Sequence, residues 1–117
     1  MRVLLFVATH PIVGVYDRVL KAVHAIDATG HEVDIVICDE TGLPTGIDGY
    51  DAITWKYKRA QTILLDQNYD ALLTVEYDNV VPPDALQRLI ACDSDIAYGL
   101  YCSRQNPRWL AFERIWD

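Results

Sequence analysis

Glu76 and Asp78 stand one residue apart, directly after a run of strand-forming residues at 71–75, and two prolines follow at 82 and 83. If the chain stays extended, both acids project to the same side, because side chains in a strand alternate. Carboxylates that close repel unless a cation lies between them or one keeps its proton. Oxygen ligands favour Mg²⁺, Mn²⁺ or Ca²⁺ over zinc, and Mg²⁺ and Mn²⁺ commonly complete their shells with water and phosphate oxygens. A nucleoside diphosphate is therefore a natural partner. The same acids could instead cap the following helix or pair with nearby Lys or Arg, and spacing alone leaves both readings open.

The elements that must position these acids are visible in the hydrophobic pattern. Residues 2–9 form a continuous apolar run, as in a strand covered on both faces; residues 31–38 read as the next strand and 70–75 as a third, buried strand. Between them, residues 16–29 place Val19, Leu20, Val23 and Ile26 at helical spacing, with Gly30 as the stop. A second helix is expected around 53–67, with Ala60, Ile63 and Leu64 inward. A third is expected over 83–92, opened by a proline, with Leu86, Leu89 and Ile90 inward. Residues 94–103 read as a fourth strand or extended segment. This alternation predicts an α/β fold, a three-layer α/β/α sandwich with a mainly parallel, Rossmann-like sheet. Right-handed crossovers then bring every loop after a strand to one edge. Thr9 and His10, Asp39 and Glu40, and Glu76 and Asp78 all fall there, where open α/β sheets bind ligands.

Composition narrows the function classes. A chain of 117 residues supports one domain. Its net charge of −7 offers little to a nucleic-acid backbone. No apolar run approaches the ~18–20 residues of a membrane span, and the first strand lacks the longer apolar core of a signal peptide. A cytoplasmic protein is expected. Cys38, Cys92 and Cys102 are odd in number, share no CxxC spacing, and read as reduced, mostly buried thiols. His24 and His31 read as surface or packing residues, and the GLPTG segment as a turn lacking the Lys-Ser/Thr of a P-loop.

The segment VEYDNVVPPDALQRLI, residues 75–90, resembles the DxD-bearing region of GT-A fold glycosyltransferases, particularly family 2-like enzymes. The preceding KYKRAQTILLDQNYDALL is similar to the stretch that leads to it, and DIAYGLYCSR to the segment after the helix. The likeness spans 1–104 and is most specific over 56–104. It implies a nucleotide-sugar donor held by its diphosphate through Mn²⁺ or Mg²⁺. Asp78 would ligate the metal, with Glu76 on the metal's water or the ribose. Thr9 and His10 would lie beside the base or ribose, and Asp39 on the nucleoside. Lys56, Lys58 or Arg59 would approach the base or phosphates. Glu76 stands where Asp is commoner in the family, and its longer carboxylate can serve the same contact. Arg104 reads equally as a solvated charge or a phosphate contact.

Family members continue into a half that supplies the acceptor site, a catalytic base and often a metal-ligand His, whereas the three histidines here lie at or before position 31. The expectation is therefore a donor-binding half, residues 1–104, followed by an apolar tail at 105–117, with weak or absent turnover. Trp109, Leu110, Phe112, Ile115 and Trp116 would bury against the sheet or a second copy, and a dimer or higher oligomer is expected. The competing reading is a non-catalytic nucleotide- or metal-binding module, or an assembly subunit, of the same fold. A receiver or phosphatase is disfavoured, because those domains carry an acid at the end of the first strand, where this chain has ATHP.

Overall fold

The computed structural model of the protein describes residues 1–99. The chain divides into two units after Leu86, and the first, Met1–Leu86, carries the sheet. Three parallel strands, β1 (Arg2–Ala8), β2 (Glu32–Cys38) and β3 (Ala71–Glu76), run in the order β2-β1-β3. Helices α1 (Asp17–His24) and α2 (Gly49–Asp66) connect them in sequence, and α3 (Ala85–Ala91) follows β3. The α/β alternation is as expected, with the first and third strands adjacent.

Residues Val3 to Val7 of β1 are fully buried. Alternation divides them between two faces. Leu5 and Val7 pack with Val19 and Val23 of α1 and with Val75 of β3, whereas Phe6 packs with Cys38 of β2 and Ala60 of α2. In strand β3 the burial alternates, and Leu72, Thr74 and Glu76 are exposed. The expectation of a third strand buried throughout is therefore corrected. The α2-side cluster is centred on β1 and β2, with Ala8, Val36, Trp55 and Tyr57 around it, and leaves the second face of β3 in contact with solvent.

Helix ends depart from the sequence pattern for identifiable reasons. Helix α1 stops at His24 rather than at position 29. The Asp27 amide donates to the Pro83 carbonyl at 2.8 Å, and the Asp27 carboxylate accepts from the Thr29 amide at 3.0 Å, so the chain leaves the helix path. Helix α2 begins at Gly49, earlier than position 53, with Asp48 extended before it and Gly49 at φ 54°. It ends as Asn68 takes φ 56° and the Tyr69 amide donates to the Leu64 carbonyl at 3.1 Å, the Schellman arrangement with Asn in place of Gly. Residues 94–99 are irregular rather than strand, and 100–103 lie outside the described residues. Cys92, expected to be buried, is exposed in the turn that follows α3; Cys38 is buried as expected.

At the amino edge, Arg2 ties the three strands together. Its amide donates to Asp70 at 2.7 Å, its guanidinium bonds the Gln67 carbonyl and lies 3.7 Å from Asp34, and it stacks 4.3 Å from the Tyr69 ring. The Tyr69 hydroxyl donates to Asp34 at 2.7 Å. Among the described residues no helix is long and apolar enough to cross a membrane.

The two faces of the sheet should respond differently to truncation. Phe6→Ala should cost about 3–5 kcal/mol, the range for a buried aromatic. Leu72, 38% exposed, should cost about 1 kcal/mol or less on truncation to alanine. Urea-denaturation midpoints of the two variants check this.

Candidate functional site

The parallel strands bring the expected residues to one edge. Thr9 continues the β1–β2 ladder, its amide donating to the Cys38 carbonyl at 3.0 Å. His10 and Gly14 exchange backbone hydrogen bonds at 2.9 Å in both directions, closing a tight loop that Gly14 permits with φ 68°. The His10 Nδ1 accepts from the amides of Ile12 at 3.1 Å and Val13 at 3.3 Å, so the imidazole is held from inside its own loop. Its ring lies 4.9 Å from the Tyr77 ring, and Tyr16 stacks on Tyr77 at 6.1 Å. The Tyr16 amide also donates to the Tyr77 carbonyl at 3.2 Å. The loop after β1 and the turn after β3 are thus joined.

That turn changes how the two acids present themselves. Glu76 is the last residue of β3, opposite Ala8 of β1. The Asn79 amide donates to the Glu76 carbonyl at 3.1 Å, so residues 76–79 form a β-turn with Tyr77 and Asp78 at its centre. The same-side projection expected for an extended chain does not apply across it. Glu76 is exposed and Asp78 half-buried. Among the described residues no three His, Cys, Asp or Glu side chains are grouped to hold a metal ion.

On the β2 side the polar residues form an ion pair with a buried lysine. Lys56 is only 2% exposed. Its ammonium donates to the Thr9 carbonyl at 2.7 Å and bonds the Glu40 carboxylate. Glu40, with a side chain 36% exposed, also lies 3.4 Å from the Thr9 hydroxyl. The Lys56 hydrogen bond holds the Glu40 carboxyl below its usual range, against the opposing effect of burial. Asp39 is exposed and accepts from the Thr41 amide at 2.9 Å; hydrogen bonding to Thr41 likewise lowers its pKa. Arg59 is exposed, donates to the Thr41 carbonyl at 3.3 Å and sits 5.5 Å from the Trp55 ring. Lys58 is also exposed. Burial pushes the Cys38 thiol up, with Arg59 and Lys56 acting in the opposite direction, which suits a packing role.

Thr9, Asp39, Lys56 and Arg59 therefore gather where β1 and β2 end, and His10, Glu76 and Asp78 where β1 and β3 end. Lys56 was expected near a base or phosphate; its ammonium is occupied by the protein's own oxygens. Sequence reasoning placed Glu40 at the ligand-binding edge but not as the partner of Lys56, and gave Tyr77 no role. A signal for Glu40 was present: Ala52, Lys56 and Ala60, all buried, recur every four residues, so a lysine sits in the inward stripe of α2 and requires a counter-ion. No such pattern marks Tyr77. Arg104 and the apolar tail, residues 105–117, lie outside the described residues. Comparison with protein-family models, curated proteins and solved structures finds no match to the chain.

Acid should expose this ion pair. Glu40 has a folded-state pKa below its ordinary value of 4.5. Its contribution is therefore fully present above that value and is lost as pH falls through the lower folded-state value. Glu40→Gln should flatten this part of the acid limb in a stability–pH profile. At neutral pH, Glu40→Ala should cost about 2–3 kcal/mol, below the value for a fully buried pair because the carboxylate is partly solvated. Lys56→Met should cost less, since it removes the buried charge and leaves Glu40 able to reach water. Urea titrations of the three variants from pH 3 to 7 measure both effects.

Proposed function

We propose that this chain is a glycosyltransferase, or the donor-binding part of one, that takes a nucleotide-diphosphate sugar at the carboxyl edge of its sheet. The observation that carries the reading is the strand order β2-β1-β3. β2 follows β1 on one side, and α2 then carries the chain back to β3 on the other, so strand order reverses between β1 and β3, the kind of place where open α/β sheets bind nucleotides. Thr9, His10, Glu76 and Asp78 fall at that end, and Asp39 and Arg59 beside it. A three-layer, Rossmann-like sandwich of the GT-A type accommodates the α1 and α2 clusters on opposite faces of β1.

In this reading the nucleoside lies between the loops after β1 and β2, near Thr9, His10 and Asp39. Arg59, exposed beside them, faces the phosphates. Asp78 and Glu76 hold Mn²⁺ or Mg²⁺ jointly with the diphosphate, which supplies ligands that the turn does not. When bound, the metal neutralises charge developing on the departing diphosphate. The alternative, a nucleotide-binding module without turnover, shares the donor site and differs only in transfer.

Mn²⁺ should strengthen binding of uridine or guanosine diphosphate by about tenfold or more, equivalent to ~1.4 kcal/mol. Asp78→Ala should abolish that enhancement with the fold intact by circular dichroism. Calorimetric titration with and without metal measures it, and equal affinity in both conditions would favour a capping or salt-bridge role for the acids. Sugar release or transfer from the bound donor separates the enzyme from the non-catalytic module.

A further inference from the structure

We infer that Lys56 and Glu40 form an internal latch that sets the loops after β1 and β2 in the arrangement a donor nucleotide requires, so that both are positioning residues rather than ligand contacts. The inference rests on the donor-site reading above, and its geometric part stands on the ion pair alone.

A fully desolvated ammonium is costly unless its donors are satisfied. Lys56 meets this requirement with one oxygen from each of two strand ends, the Thr9 carbonyl after β1 and the Glu40 carboxylate after β2. The Thr9 carbonyl belongs to the peptide that joins Thr9 to His10. Its orientation therefore fixes where the His10 loop leaves the sheet. Glu40 in turn opens the turn closed by the Leu43 amide on the Glu40 carbonyl at 2.9 Å. The adjacent Asp39 carboxylate is held by the Thr41 amide, and the Thr41 carbonyl accepts from Arg59. One buried charge thus connects the backbone under Thr9 and His10 to the segment bearing Asp39. Ligand access to the ammonium is closed, because Lys56 is 2% exposed. Its influence on a nucleotide has to pass through the residues it holds.

The test combines exchange with binding. In Lys56→Met, amide hydrogen exchange at Thr9, Thr41 and Leu43 should accelerate about tenfold or more, while the amides of residues 4–7 keep the parent rate. Affinity for uridine diphosphate with Mn²⁺, or for guanosine diphosphate if that is the tighter ligand, should fall about tenfold in Lys56→Met and in Glu40→Ala. Glu40→Gln, which keeps an oxygen acceptor for Lys56, should retain most of the binding that Glu40→Ala loses. Tyr69→Phe, at the opposite edge, serves as a control that lowers stability without changing affinity. Because Lys56→Met relieves a buried charge, its loss of binding is expected without a matching loss of stability, which a merely structural lysine would not produce. Unchanged exchange at the three amides, or parent-like affinity in Lys56→Met, overturns the latch. If the parent binds neither diphosphate while exchange still accelerates, the donor reading falls and the mechanical latch stands.

Discussion

The central strand imposes the constraint on which the other features depend. β1 is paired on both edges and buried on both faces, so its interior residues can only be apolar. Every backbone group there is satisfied by a neighbouring strand, and every side chain from Val3 to Val7 is removed from water. Polar chemistry is excluded from the strand and begins where it ends, at Thr9. Because both neighbours run parallel to it, their carboxyl ends lie at the same edge.

A lysine in the buried stripe of α2 is the exception to that apolar interior. Ala52 and Ala60, one turn either side of it, are small and buried. The lysine stem can pack among apolar neighbours while its charged end reaches the sheet edge. The ion pair with Glu40 then serves two purposes: it neutralises a desolvated charge, and it fixes two loops to one helix. A methionine there would satisfy packing equally well. The charge makes sense where backbone geometry at the strand end matters.

The two sides of the sheet's carboxyl edge are built differently. On the β2 side the contacts are ionic and buried, through Lys56, and more exposed around Asp39 and Arg59. On the β3 side they are aromatic, with His10 and Tyr16 against Tyr77. Tyr77 lies between Glu76 and Asp78, and its ring joins the β3 turn to the β1 loop.

The hydrophobic pattern by itself determined the three strands and three helices that alternate, though it also read 94–103 as a fourth strand or extended segment, and it determined that β1 is dry on both faces and that Thr9, Asp39 and Glu76 stand at strand ends. Those features follow from side-chain periodicity and turn residues, which are local. Tertiary structure decided the remainder. α1 ends early because the Asp27 amide meets Pro83, more than fifty positions away. The even-numbered side of β3 is open because α2 settles over β1 and β2. Glu76 and Asp78 are separated by a turn that an extended reading of the motif does not contain, and Lys56 finds Glu40 only when α2 folds against the sheet. In each case the deciding partner is distant in sequence or depends on which face a helix covers, and local spacing carries no information about either.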